Sequence, residues 1–431
     1  MPKTIIIGGG INGLLLGGLL TKSGDEVIIF EKNKTVGGRS SVIEKEGFTI
    51  DNGVHFIRFG PYSALSKILK RIGVDIDFYK TGTSYVSDYD GTIKIFPTSP
   101  KDILKSTLFS FPEKIIMFSL LIKIKHGKYN EMQDISLDEW CRQNHISGGI
   151  RKYLELLSSS VMVCPFFDRV SCRELFRNIN KILNTGHSAE YPASGWKSIY
   201  DTLSTIIKKN GSIFTGKKID SLIFEKKNVR GVISGKKKYY ADRVVITIPV
   251  QEIFQIIPPG KLHKDFIACC RNIVPTSGIF FDIALNRKIS SINGWMYSLS
   301  PMAFGIITSN VCPWIAPENS QLLTMLYPVS RDDIHNKDFV RRKKNQLWGV
   351  IRNYFPDIEK YIIFSREIIL EIIDGVQISI DQTEEFRPGP VVPGIENLYL
   401  TGDTISAPGA GGDVGNEAVI RTFEAMTSQK F

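Results

Sequence analysis

The chain has 431 residues, 42% of them hydrophobic and 23% charged, with a formal net charge of +10. That length predicts two domains rather than one core. The charge is scattered as small groups such as Lys236-Lys237-Lys238, with no basic stripe interleaved by aromatics, which excludes a nucleic-acid binder. The cysteines (Cys141, Cys164, Cys172, Cys269, Cys270, Cys312) form no C-x-x-C pair and the histidines do not cluster. This argues against a disulfide framework or a metal site and for reduced thiols. The N-terminus enters a strand at once, so no signal peptide and a cytoplasmic location are expected.

Thr4 to Ile7 is a short β-branched run of the kind that forms a buried parallel strand. Gly8, Gly10 and Gly13 follow in G-x-G-x-x-G spacing, and Leu14 to Leu20 continues as an apolar helix carrying Gly17 and Gly18. Ser23-Gly24-Asp25 turns the chain into a second strand, Val27 to Phe30, which ends on Glu31. Strand, glycine turn, helix, strand and acid together form a dinucleotide-binding fingerprint. Gly8 makes the tight turn, Gly10 lets the backbone approach a pyrophosphate, and Gly13 lets helix and strand close up. The helix N-terminus at Ile11 and Asn12 offers free N–H groups and a positive dipole end to the phosphates. Glu31 is expected to accept hydrogen bonds from ribose hydroxyls, with Lys32 beside it.

A second motif, Gly37-Gly38-Arg39-Ser40, comes next: the glycine pair folds the loop against the cofactor and Arg39 offers a fork of donors. Phe48 to Phe56 then reads as strand, turn and re-entry, with Asp51, Asn52, Gly53, Val54 and His55 in the turn. An acid, a short linker and Gly-Gly-Arg after an N-terminal G-x-G-x-x-G resemble the FAD-dependent amine oxidase, protoporphyrinogen oxidase and phytoene desaturase superfamily. The UDP-galactopyranose mutases share that fold but usually carry Asn where Arg39 stands. The resemblance implies an α/β fold in which a Rossmann-like FAD-binding domain is interwoven with a substrate domain of mixed sheet and helices. It places FAD binding in 1–62, 190–270 and 388–431, and the substrate domain in 63–189 and 271–387. It also sets Val54 and His55 beside the isoalloxazine.

The segment from 63 to 189 is rich in helix formers, with a helix at Ala64 to Ile72 and a capped start at Ser136-Leu137-Asp138-Glu139. Within it, the apolar stretch at 103–125 is too short and interrupted to span a bilayer. Two readings stay open for it: a core or substrate-funnel helix, which is preferred, and a helix making peripheral membrane contact, because lysines flank it. Tyr191 to Trp196 leads into a helix at about 197–209 and then into short alternating strands between Gly211 and Thr247. The resemblance puts the backbone near Ile219 at the adenine. Strands at Gly278 to Leu285 and Leu322 to Tyr327 precede a helix over Asp338 to Phe355.

The last motif is a strand ending in Gly402-Asp403, then a glycine-rich loop that opens a helix near Gly412-Asp413-Val414. It is similar to the superfamily's C-terminal FAD motif: Asp403 would meet a ribityl hydroxyl or the pyrophosphate, and the helix would point its positive end at the flavin pyrimidine. The loop has no Cys or His, so non-covalent FAD is expected. The implied activity is hydride removal from a C–H bond of an amine or of a saturated, isoprenoid-like carbon, acting on a small, hydrophobic molecule. Oxygen or a quinone-like compound would accept the electrons. His55 is the candidate catalytic group, as a proton carrier or substrate-orienting residue; a histidine satisfied by local backbone is the competing reading. A mutase-like isomerase and a non-enzymatic binder of the GDP-dissociation-inhibitor kind are the alternatives; Glu31, Arg39 and Asp403 argue against the latter.

Overall fold

The computed structural model describes residues 1–53, 55–131 and 134–431. At its centre is a five-stranded parallel sheet in the order Ser212–Phe214, Glu26–Phe30, Lys3–Ile7, Arg243–Ile246, Leu398–Leu400. The register sets Ile7 opposite Phe30 on one side and Ile246 on the other, with Ile246 opposite Leu400. All three chain regions that carry motifs therefore end at one edge of one sheet, where ligands bind in open α/β sheets. The three inner strands are buried: their runs are rich in β-branched residues, and the Ile11–Lys22 helix and the antiparallel strand Asn228–Ser234 pack on them.

The Ile11–Lys22 helix buries its leucines in the core and makes its closest approaches at two glycines. A methyl group at Gly17 would lie 3.1 Å from Ile207 and 3.2 Å from Ile29, so this glycine does meet the sheet. At Gly18 a methyl would lie 2.8 Å from Ile72 and 3.3 Å from Leu203, so here the close approach is to two helices. The first of these, Ala64–Ile72, is capped by Ser63 and ended by Gly73.

A seven-stranded sheet makes the second layer, in the order Ile362–Leu370, Ser277–Leu285, Gln321–Val329, Met302–Ile307, Met296–Leu299, Tyr85–Ser87, Ile93–Ile95. The Lys337–Tyr354 helix covers one face, burying Leu347 and Ile351 with Phe281 and Met325. A small sheet joins Ile57–Arg58 and Phe78–Lys80 to Ala189–Pro192. The helices Phe111–Lys125, Leu137–Gln143, Gly148–Ser160 and Cys172–Thr185 lie between. Ser136 caps the second by accepting from the Glu139 N–H, as its sequence position predicts. Among the described residues no helix is long and apolar enough to cross a membrane.

Candidate active site

The first glycine turn is built from backbone contacts that side chains would block. Gly8 holds φ +110°, and its N–H donates to the Phe30 carbonyl at 2.8 Å. A methyl at Gly13 would stand 2.2 Å from the Gly8 carbonyl oxygen, whereas a methyl at Gly10 would meet nothing within 4 Å. Gly13 is thus needed for the fold, and Gly10 faces open space. Gly10 is the N-cap of the helix that Ile11 and Asn12 begin, and no side chain caps it.

Glu31 is buried, and its two oxygens accept the Gly9 N–H at 2.7 Å and the Asn33 N–H at 2.8 Å. The acid therefore also braces the glycine turn, a role its sequence position did not suggest. A carboxylate offers about four lone-pair sites, so acceptor capacity for ribose hydroxyls remains. Lys32 is exposed.

Gly37 and Gly38 both have positive φ, and the Gly37 N–H donates to the Gly9 carbonyl at 2.9 Å. A methyl at Gly38 would come 3.3 Å from the Gly10 Cα, so the second motif lies against the first. Ser40 is buried and accepts the Tyr200 hydroxyl at 2.6 Å. Arg39 turns its fork onto the last motif, donating to Asp403 at 2.7 Å and to the Ile373 carbonyl at 2.9 Å. The other Asp403 oxygen accepts the Gly375 N–H at 2.6 Å. Burial works to raise the Asp403 pKa, but the Arg39 charge and these hydrogen bonds hold it below the usual carboxylate range.

The two ends of the chain meet here. Thr247 donates to the carbonyls of Ile7 and Gly8, and a methyl at Gly402 would lie 3.6 Å from the Thr247 carbonyl. Asn12 donates to Asn416 at 3.2 Å, and a methyl at Gly415 would strike the Asn12 side chain at 2.5 Å. The final helix, Gly412–Thr427, starts without a side-chain cap; Gly412 is exposed and has open space over its Cα. Asp413 is buried, ion-paired with Lys181 at 3.4 Å, and keeps one oxygen without a partner among the described residues. The side chains of Val414 and Ile219 are core, leaving only backbone for a ligand.

Sequence reasoning missed four residues at this place. Thr247 ties two motifs together, and Asn416 joins the first helix to the last. Arg58 and Asp374 both stand 3.5 Å from where a methyl at Gly411 would be. Burial lowers the Arg58 pKa and pushes Asp374 up to about 6. Arg58 also donates to the Val161 carbonyl and approaches Asn178, so it links the glycine loop to the helical segment. Nothing local in the sequence marks either residue.

His55 donates from Nε2 to the Asn52 carbonyl at 3.1 Å, while the Trp196 indole donates to the His55 carbonyl at 2.8 Å. The carbonyl contact requires the proton on Nε2, and burial lowers the ring pKa to about 4, so the imidazole is neutral. Arg366 holds the same turn through Asn52 at 3.1 Å. Val54 lies outside the described residues.

Behind the turn, a cavity of about 10 Å³ is lined by Asp51, Gly53, His55 and Thr324 among others, room for one water. Asp51 accepts the Tyr191 hydroxyl at 2.7 Å; among the described residues it pairs with no cation and its other oxygen has no partner. Burial pushes its pKa up to about 7, against the Tyr191 hydrogen bond and with help from Asp282. An unfolded aspartate titrates near 4, so the folded state holds a proton that the unfolded state has lost. This contribution is full below about pH 4 and is lost as pH rises to about 7. Asp51→Asn, which keeps an acceptor for Tyr191, is expected to flatten that decline and to stabilise the protein at pH 8 by a few kcal/mol; urea unfolding across this range measures it.

A flavin nucleotide fits these residues: two uncapped helix N-termini, open space at Gly10 and Gly412, and spare acceptors on Glu31. Among the described residues no group of three or more His, Cys, Asp or Glu could hold a metal.

Residues 12–277 match the family of flavin containing amine oxidoreductases, and the chain belongs to that family. It is a flavin-dependent oxidoreductase. A 4,4'-diapolycopen-4-al dehydrogenase of Metabacillus indicus is 38% identical, covering 95% of this chain and 94% of the relative. An uncharacterised protein of Methanocaldococcus jannaschii is 29% identical over 71% of this chain and 76% of its own. The fold is shared with an oxidoreductase from Methanosarcina mazei, with a TM-score of 0.84, 20% identity, and 98% and 99% of the two chains covered.

Proposed function

We propose that the protein binds FAD non-covalently and removes a hydride from a C–H bond of an amine or of a saturated, isoprenoid-like carbon. Oxygen or a quinone-like compound then takes the electrons. The observation that carries this reading is the pair of open glycines, Gly10 and Gly412, at two helix N-termini that the Asn12–Asn416 hydrogen bond joins. The segments 1–62, 190–270 and 388–431 would bind the nucleotide, and 63–189 and 271–387 would form the substrate chamber.

Bound FAD supplies the hydride-accepting chemistry. The chain supplies the rest. Glu31 accepts from the ribose, and the N–H groups at Ile11 and Asn12 take the phosphates. The Arg39–Asp403 pair fixes the spacing between the second and last motifs. The Gly412 helix end turns its positive dipole toward whatever negative charge gathers beside it. His55 stays neutral, so it adds no charge to the chamber and can orient a substrate or take a proton in passing.

Anaerobic mixing of the yellow protein with amines, isoprenoids and porphyrinogens tests the reading. Bleaching of the flavin band by one class identifies the substrate. Dependence on prior reduction, with no bleaching by any class, would favour the isomerase instead. Glu31→Ala removes both the ribose acceptor and the brace on Gly9 and Asn33. It is expected to lower flavin retention at least about tenfold, the worth of one charge-assisted hydrogen bond; full flavin content after gel filtration would contradict the role.

A further inference from the structure

The helix Phe111–Lys125 is apolar on both faces. A capping box between Ser110 and Glu113 starts it, and Lys123 and Lys125 complement the dipole at its end. Met117, Leu120 and Ile124 are buried, against neighbours that include the Cys172–Thr185 helix. The outer face of a surface helix is normally polar. Here it carries Phe111, Ile115 and Ile122, which are 77%, 59% and 59% exposed, with Ile116 beside them. Leu104, 63% exposed at the end of the preceding helix, joins this face, because Lys114 donates to the Leu104 carbonyl at 2.8 Å. Scattered single apolar residues need no explanation, but five adjoining ones on two helices do.

Charge decides what covers them. Between positions 100 and 128 stand Lys101, Lys105, Lys114, Lys123, Lys125 and Lys128, against only Asp102 and Glu113. Both acids are engaged locally: Asp102 by the Ser99 hydroxyl, Glu113 by Ser110 and the Gly149 N–H. A second copy of the chain on this face would bring lysines against lysines. A surface that is apolar within and anionic at its rim matches both features at once. We propose that the Leu104–Ile122 face docks on a lipid bilayer bearing acidic headgroups, with the isoleucines and phenylalanine in the acyl boundary and the lysines at the phosphates.

The position suits a lipid-soluble substrate. The Cys172–Thr185 helix beneath this face carries Asn178, which approaches Arg58 over Gly411, so the face lies outside one wall of the chamber. The docking itself does not depend on the flavin chemistry proposed above.

Co-sedimentation of the flavin-loaded protein with vesicles tests the proposal. Vesicles of phosphatidylcholine containing about one third phosphatidylglycerol should carry the protein down, pure phosphatidylcholine much less, and about 0.5 M NaCl should weaken the binding. Phe111→Ser, Ile115→Ser and Ile122→Ser combined should weaken it at least about tenfold with the melting temperature kept. Lys123→Glu with Lys125→Glu, which leaves the apolar face intact, should weaken binding about tenfold or more to the anionic vesicles. The proposal is overturned by no sedimentation with either vesicle, by equal binding to both, or by unchanged binding of the variants. It is overturned equally by a dimer in light scattering that the serine variant dissolves.

Discussion

Gly10→Ala is expected to give a protein that folds normally and holds its flavin far more weakly. Gly10 has φ −71°, which alanine adopts freely, and the added methyl meets nothing within 4 Å. Folding therefore loses no contact, and the stiffer unfolded chain favours the variant by about 0.4–1 kcal/mol. The space that the methyl enters is the space assigned to the pyrophosphate. Overpacking of one methyl costs about 1–3 kcal/mol, so affinity for FAD should fall about tenfold to a hundredfold. Gly13→Ala supplies the contrast. Alanine gains about 1 kcal/mol of helix propensity there, but its methyl lies 2.2 Å from the Gly8 carbonyl oxygen, a backbone atom that cannot yield cheaply. The clash outweighs the propensity, so this variant should lose both flavin and melting temperature. Thermal unfolding and flavin content, measured on both, separate the two roles.

Arg39→Ala should cost stability as well as flavin. Its partner Asp403 is buried, with a side chain 9% exposed, and loses the one cation within ion-pair reach among the described residues. Stranding a buried carboxylate costs several kcal/mol when the pair is fully enclosed. Arg39 is 39% exposed, so water compensates in part, and about 1–3 kcal/mol at neutral pH is expected. The sign with pH follows from Asp403, whose folded pKa is held below the usual range. That stabilisation is present above the unfolded pKa near 4 and is lost as pH falls through the folded value. The variant should therefore differ most from wild type at pH 7 and least in acid. Adding Asp403→Asn removes the stranded charge and should restore stability without restoring flavin retention. Urea unfolding at pH 7 and at about pH 3, below the unfolded pKa, measures both effects.

What the sequence disclosed and what it hid follow from how far apart the partners lie. The glycine turn, its helix and Glu31 are local, and their spacing alone specifies a strand–turn–helix with an acid at the next strand end. The pairing of Arg39 with Asp403 spans 364 positions, and that of Asp51 with Tyr191 spans 140. No local pattern encodes such contacts, so the sequence shows Arg39 only as a fork of donors for phosphate or flavin-side oxygens, and the structure adds its hold on the last motif. Arg58 and Asp374 look like ordinary charges until the fold sets both over Gly411. The Phe111–Lys125 helix was ambiguous for a different reason: with apolar residues on both faces, periodicity cannot say which face is buried. The structure buries one and leaves the other bare.

Every role assigned above depends on the first and last motifs of the chain clasping one flavin nucleotide. Titrating flavin-free protein with FAD and following flavin fluorescence tests it most directly. Saturation at a single equivalent, complete release of FAD on denaturation, and sharply weaker binding in Gly10→Ala are expected. Absence of binding at micromolar FAD, or equal binding by wild type and Gly10→Ala, would contradict it.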